Sequence, residues 1–382
     1  MVLITAFIPY FQREPGLLRE AVISIFNQSI LNGGVPGTRE GVALGDWEPS
    51  AGALPGALEL EPCEVDLLIV DDGSPISPAS ELEGLVPPPG CTIRIVERVN
   101  GGVSQCRNTG LDSVLPEADY IAMLDSDDVW SPWHLERAVR ALAGGADLYT
   151  SNWFTAETGD PAFKSMNKVR LEDHRPHRLM SDAYEFVGDP LESEARASIG
   201  RPSCLVFSKE KFGDLRNDPT LLYGSEDQLW RFQMYSRSPS IAFSSRPEVR
   251  SGVGVSVFSG VKWTSDRGLL ILRDRSRCMR KARRLPGFTP GARKIANAAV
   301  GRARKDQVAS MIHMVRRRRV PKLKTLSMLV RGDPVAPLVW PLWAVQVVSG
   351  WALASARAAR ASAAVELDSP AIAASRASRW SD

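Results

Sequence analysis

The chain has 382 residues, 44% hydrophobic and 24% charged, which is too long for one minimal domain and apolar enough to bury a substantial core. Its formal charge of +3 hides a division, because residues 1–261 carry 22 basic against 37 acidic side chains and residues 262–333 carry 21 against 4. Five scattered cysteines without CxxC spacing argue against a zinc site or a disulfide framework and fit a reducing compartment.

In chain order, Val2–Ile8 is a short apolar run with β-branched residues and predicts a buried strand. It lacks a basic leader and Pro9 ends it early, so it reads as a first strand and not as a signal peptide, with the chemistry in the cytoplasm. Leu17, Leu18, Val22, Ile25 and Phe26 then recur at helical spacing within 16–28. Residues 31–62, rich in Gly and Pro, have no period and read as a long surface loop. Val65–Val70 predicts a second strand, ending in Asp71-Asp72-Gly73-Ser74. Thr92–Glu97 predicts a third, followed by a helix over Val103–Val114 entered through Asn100-Gly101-Gly102. Tyr120–Leu124 predicts a fourth, and Ser131-Pro132 opens a helix, as N-cap and first-turn proline, running to about Leu142. Strands alternating with helices predict an α/β domain with a mostly parallel sheet, in which ligands bind beyond the carboxyl ends of the strands.

Two acidic clusters stand at those strand ends. Asp125-Ser126-Asp127-Asp128 sets three carboxylates within four residues, and such crowding resists burial unless a partner neutralises it. Hard oxygen ligands at alternating positions suit Mg²⁺ or Mn²⁺, which would also clamp a diphosphate; the competing reading is an acidic first turn, which accounts for Asp128 as a helix start. Asp71-Asp72-Gly73-Ser74 is equally readable as a β-turn with Asp capping. The glycines before the helix at Val103 let backbone N–H groups approach an anion, with Arg107 one turn inside, either on that anion or paired with a structural carboxylate. Farther on, Ser225 with Gln228 makes a capping box whose first turn holds Glu226 and Asp227. His174 and His177, in a charged loop with no third ligand, read as solvated.

The succession "AFIPYFQREPGLLREAVISIFNQSI", "LIVDDGSP", "NGGVSQCRNTGLD" and "YIAMLDSDDVW" closely resembles family-two glycosyltransferases of the GT-A fold, across roughly residues 2–140. The loop at 31–62 departs from that pattern, since relatives pass from first helix to second strand in few residues. The resemblance implies an inverting transfer from a nucleotide-sugar donor, with UDP as the nucleotide, to an acceptor hydroxyl. It implies Asp127 as the direct ligand of Mn²⁺ or Mg²⁺, with Asp125 sharing the metal and lying nearer the ribose. Asp71 and Asp72 fall in the nucleotide pocket, Arg107 organises the nucleotide, and Pro9 and Phe11 line the base; Gly102 and Ser126 complete the donor set. Tyr223–Arg231 resembles the acceptor-side "ED" motif, with Asp227 as general base and Glu226 as the fallback. Arg201–Phe207 resembles the apolar strand before that motif. Where many relatives carry a His, this chain has Arg250-Ser251-Gly252-Val253-Gly254.

Residues 1–261 therefore read as a GT-A catalytic domain, with a donor half over 1–140 and an acceptor half over 141–261. A basic helical region follows over 262–333, then an apolar Trp-rich segment over 334–355 and a disordered tail over 356–382. Within 334–355 there is no charged residue, and Trp340, Trp343, Val347 and Trp351 fall near one helical stripe. With Arg316–Arg319 ahead of it, this predicts peripheral contact with an anionic membrane surface through 316–355 and a glycan or lipid-linked acceptor; the alternative is a buried helix. No recognised nucleic-acid module accompanies the basic run, so nucleic acid is not an expected partner. The competing functions are a non-catalytic nucleotide-sugar-binding scaffold and a sugar-phosphate nucleotidyltransferase.

Overall fold

The computed structural model describes residues 1–33, 37, 47, 60–156, 158–165, 169–237, 240–255 and 260–349, and it divides into two compact units. Most of the loop at 31–62, all of 350–355 and the tail at 356–382 lie outside the described residues. Residues 1–260 with 277–298 form the first unit, and residues 261–276 with 299–382 the second.

The first unit is built on one sheet. Its strands are β1 (Val2–Tyr10), β2 (Cys63–Asp71), β3 (Cys91–Glu97), β4 (Tyr120–Met123), β5 (Val129–Trp130), β6 (Leu148–Phe154), β7 (Arg175–Pro176), β8 (Ala183–Glu185), β9 (Val206–Ser208) and β10 (Ile241–Arg250). Their spatial order is β3-β2-β1-β4-β9-β6-β10-β8-β7, with β5 paired to β10. Strands β3, β2, β1 and β4 run parallel, β9 enters antiparallel between β4 and β6, and β10 again runs parallel to β6.

Between these strands lie α1 (Leu17–Phe26), α2 (Pro78–Leu82), α3 (Val103–Asp112), α4 (His134–Ala143), α5 (Ala162–Ser165), α6 (Pro190–Arg196), α7 (Lys209–Phe212) and α8 (Glu226–Tyr235). The period of two along β1 decides where they pack. Ile4, Ala6, Ile8 and Tyr10 face the cluster formed with Leu18, Val22, Ile25 and Phe26 of α1 and Leu135, Ala138 and Val139 of α4. Phe7 points the other way, against α3, where a Cβ on Gly110 would sit 2.6 Å from its ring. Helices cover both faces, as a parallel sheet requires.

The pairing of β1 with β2 reaches Tyr10↔Asp71, and that with β4 stops at Phe7↔Met123. The carboxyl ends of β1, β2 and β4 thus share one edge, and β1/β4 is where the order of connection reverses. A cleft opens at such a reversal. Pro9, lacking an N–H, is tolerated in a central strand because it lies beyond the stretch paired with β4.

Several local expectations are corrected. Helix α4 starts at His134 with Trp133 before it and no side-chain cap, so Ser131-Pro132 is a turn, with the Ser131 N–H donating to Glu248. Helix α8 has no capping box either. Ser225 is left-handed, with φ 70°, and makes no cap bond, while Gln228 reaches the Glu194 carbonyl at 3.4 Å. The run at 201–207 is a 3₁₀ turn (Pro202–Cys204) followed by the short β9, because Pro202 breaks the ladder.

The helices α9 (Asp266–Ala282) and α10 (Pro290–Arg316) contribute to both units. In the second unit they are joined by α11 (Leu323–Gly332) and a helix over 336–349. Leu269, Met314 and Leu329 form its small core, with Met311, Leu326 and Trp340 packed on it. Arg304 grips Asp333, at the end of α11, through two bonds of 2.8 and 2.9 Å. The expected tryptophan stripe is turned inward. Trp340 and Trp343 are half-buried and Val347 is buried, while Leu338, Leu342, Val345 and Val348 are exposed. Indoles bury more apolar area than leucine or valine, which favours that rotation of the helix. Trp351 lies outside the described residues.

Candidate active site

The end of β2 separates its two aspartates. Both carboxylate oxygens of Asp72 are taken: Oδ1 accepts from the Gly101 N–H at 3.0 Å and from Arg98, and Oδ2 accepts from the Gly102 N–H at 2.8 Å. Asn100 also donates to the Asp72 carbonyl at 2.9 Å. Asp72 is therefore the clamp that shapes the entry to α3, where Gly102 has φ 86°, a conformation that only glycine adopts freely. Asp71 accepts from the Ser74 N–H through Oδ1 at 2.7 Å. Burial raises the Asp71 carboxyl, against the pull of the backbone N–H groups of Ser74 and Gly73.

Beyond β1, Phe11 is half-buried under the Arg13 guanidinium, and Pro9 is buried within the strand. The residue that ties this loop to the acidic cluster is Gln12. Its N–H and carbonyl bond Ser74 Oγ at 2.9 Å each, and its Nε2 donates to Ser126 Oγ at 2.9 Å. Gln12 thus fastens the ends of β1, β2 and β4 together, a role with no sequence signal.

The three acids after β4 have different surroundings. Asp128 is buried, accepting from Ser203 Oγ at 2.6 Å and from the Gly252 N–H at 3.0 Å, with Arg201 at 3.5 Å. It does not start a helix; it pins the acidic turn to the segment after β10. Burial pushes its carboxyl up to about 7, against the pull of Arg201. Asp127 accepts from the Gly254 N–H at 2.7 Å through Oδ2. Burial and the neighbouring Asp125 raise it. Asp125 accepts from Arg107 at 3.1 Å through Oδ1.

The stretch Ser251–Gly254 explains the glycines that stand where relatives carry a His. A Cβ on Gly252 would overlap the Asp127 carbonyl, and one on Gly254 would sit 2.7 Å from the Asp127 Cβ. Backbone therefore lies directly on the acidic turn and presents N–H groups to it, which no residue with a side chain permits. The alternating Ser-Gly-Val-Gly is the signal for that approach.

Arg107 joins this cluster to α8. It is buried and donates to Asp125 and, at 3.0 Å, to Glu226 Oε1. Glu226 and Asp227 then diverge. Burial and the charge on Asp227 push Glu226 up to about 7. Asp227 goes the other way: burial opposes its charge, but Arg231, bonded at 2.9 Å, and Arg107 outweigh burial and hold it below the usual carboxylate range. Neighbouring carboxylates pushed apart in this way are suited to different tasks. The Asp227 side chain is 29% exposed and that of Glu226 only 11%, so Asp227 is the one an incoming group meets. Arg231 is itself held by Glu194 of α6 at 3.1 Å, a fully buried partner that sequence patterning does not reveal.

His174 and His177 are packed, not solvated. His174 stacks near Phe186 and Phe243 and accepts from the Val187 N–H at 3.1 Å, and buried His177 accepts from the Leu179 N–H at 3.2 Å. Among the described residues no group of three or more His, Cys, Asp or Glu side chains is placed to hold a metal.

The family model "Glycosyl transferase family 2" matches residues 51–199. The succinoglycan biosynthesis protein ExoW of Rhizobium meliloti (strain 1021) is 27% identical over 341 residues, covering 87% of this chain and 95% of its own. Two solved structures are among those the chain is similar to. S. aureus TarS 1–349 in complex with UDP is 13% identical with a TM-score of 0.47, over 91% of this chain and 89% of that one. The mannosyltransferase PcManGT from Pyrobaculum calidifontis, in complex with GDP-Man and Mn²⁺, is 16% identical with a TM-score of 0.47, over 90% and 84%.

Proposed function

We infer the reaction from one premise: this chain belongs to glycosyltransferase family 2 and is a glycosyltransferase. In the proposed reaction a sugar leaves a nucleoside diphosphate, with uridine as the nucleoside, and joins an acceptor hydroxyl with inversion at the anomeric carbon. The observation that carries this reading is Arg107, which holds the strand-end acid Asp125 and the helix acid Glu226 in one site.

The donor side is assigned from the carboxylates that stand at the strand ends. Asp71 is the acceptor for an N–H of the base, and Asp72 shapes the loop that receives the nucleotide. Asp125 and Asp127 fit a divalent cation. Mg²⁺ and Mn²⁺ sites of this type take one or two carboxylates and complete their shell with water and substrate phosphates, so a site without a third protein ligand is consistent. When bound, such a cation neutralises charge on the leaving diphosphate.

On the acceptor side Asp227 takes the proton from the attacking hydroxyl. The new bond forms between that oxygen and the anomeric carbon as the bond to the diphosphate breaks on the opposite face. Arg231 and Glu194 fix the orientation of Asp227, and its low pKa keeps it ionised. ExoW is a succinoglycan biosynthesis protein, which supports a cell-envelope polysaccharide or its lipid-linked precursor as acceptor. Exposed Arg316–Arg319 and the exposed stripe Leu338, Leu342, Val345 and Val348 support contact with an anionic membrane surface at the cytoplasmic face. Among the described residues no helix is long and apolar enough to cross a membrane.

Calorimetric titration of UDP-sugars with and without Mn²⁺, joined to a transfer assay, tests the assignment. Asp127→Ala should lose metal-dependent nucleotide binding. Asp227→Asn should keep it while transfer falls by about a hundredfold to ten-thousandfold. Unchanged nucleotide affinity in Asp127→Ala would sink the metal assignment, and full activity in Asp227→Asn would sink the base.

A further inference from the structure

The second unit contains a cleft of about 400 Å³ that the chemistry above does not use. Its lining mixes apolar Leu272 with Arg275, Asp306, Ser310 and His313, and it includes Trp263. Trp263 is 54% exposed, although tryptophan is among the residues most buried on average. Its backbone is nevertheless fixed. Ser310 Oγ on α10 donates to the Trp263 carbonyl at 2.8 Å, and Ser265 Oγ, just before α9, donates to the adjacent Lys262 carbonyl at 2.5 Å. A large aromatic face is thus displayed on a held backbone, beside a cavity of the size that small-molecule sites occupy.

The charges of the lining narrow the ligand. Residues 262–333 hold 21 basic side chains and 4 acidic ones, and one of those acids, Asp306, lines this cleft with Arg275 and His313. In the most basic stretch of the chain the cleft is balanced, with one fixed cation, one carboxylate and one imidazole. A phosphate or a nucleic acid would gain little from Asp306. Sugar hydroxyls both donate and accept, so a carboxylate and a guanidinium suit them, and the C–H face of a pyranose ring packs on an indole.

We propose that this cleft binds a neutral oligosaccharide segment of the acceptor glycan, at a site built from none of the strand-end residues. The proposal rests on the glycosyl-transfer reading for the identity of its ligand. Binding there tethers a polymeric acceptor, which raises its effective concentration at the protein without altering the chemical step.

Calorimetry on the full-length protein, without donor, provides the test with four neutral hexasaccharides: maltohexaose, cellohexaose, laminarihexaose and N-acetylchitohexaose. At least one should bind, with Trp263→Ala weakening it about tenfold, Trp263→Phe retaining most of it and Asp306→Asn weakening it. Donor affinity and donor hydrolysis should be unchanged in all three variants. The cleft is overturned if none of the four binds, or if Trp263→Ala binds as tightly as the parent. Donor hydrolysis without hexasaccharide binding removes the cleft alone. Trp263-dependent hexasaccharide binding with no binding of any UDP-sugar removes the donor assignment alone.

Discussion

At the scale of single residues, the acids of the site differ more in what surrounds them than in what they are. Glu226 is pushed up to about 7 by burial and by Asp227, whereas an unfolded glutamate titrates near about 4.3. Between those values the folded chain binds the proton more tightly than the unfolded chain. The stability associated with Glu226 is therefore full below the unfolded value and is lost as pH rises through the folded one. Asp71 and Glu194 shift in the same direction, while Asp227 and Glu248 shift downward and act only in more acid solution. Over pH 5 to 8 the melting temperature of Glu226→Gln should gain relative to the parent, because the variant lacks this loss. A difference between parent and variant that stays constant across this range, by scanning calorimetry, would contradict the assignment. Asp71 and Asp72 are adjacent and chemically identical, and no sequence reading separates them. Asp72 becomes a structural clamp only because the chain returns at Gly101 and Gly102 to donate to it.

At the scale of elements, residues 1–140 are legible because each strand is followed closely by its own acidic or glycine motif, and parallel pairing then gathers those motifs at one edge. Residues 141–261 are not. Strand β9 is three residues long and inserts between β4 and β6, so neither its existence nor its neighbours follow from local period. Glu194 and Arg231 meet across two helices, and Gly252 and Gly254 matter through the turn they lie on. Ser131 and Ser225 show the opposite error: a capping residue in the right place need not cap when a tertiary contact takes the backbone elsewhere. The contact of α3 with β1 yields a further expectation. Gly110→Ala gains helix propensity, yet its Cβ would meet Phe7 at 2.6 Å, and overpacking of this kind costs about 1–3 kcal/mol. Urea unfolding should show Gly110→Ala destabilised, with partial recovery in the Phe7→Leu background; a stabilised variant would mean that α3 moves freely on the sheet.

At the scale of the whole molecule, charge is divided along the chain, with the acids concentrated before residue 262 and the bases after it. The exposed apolar stripe at 338–348 and the exposed arginines at 316–319 predict binding to vesicles containing anionic phospholipid and not to purely zwitterionic ones. Co-sedimentation should weaken with rising salt and fall further when Leu342 and Val345 are both changed to Glu. Equal recovery with both vesicle types would remove the membrane contact. One feature of the site reaches across the first unit in a different way. Arg107 is a single counter-ion shared by two carboxylates, Asp125 at the end of a strand and Glu226 at the start of a helix. A change of charge at either carboxylate acts on the same guanidinium, so the two ends of the site are linked through one side chain. Under the proposed reaction, thermodynamic reciprocity requires that whatever factor donor occupancy imposes on acceptor affinity, the acceptor imposes on the donor, with Arg107 as the proposed link.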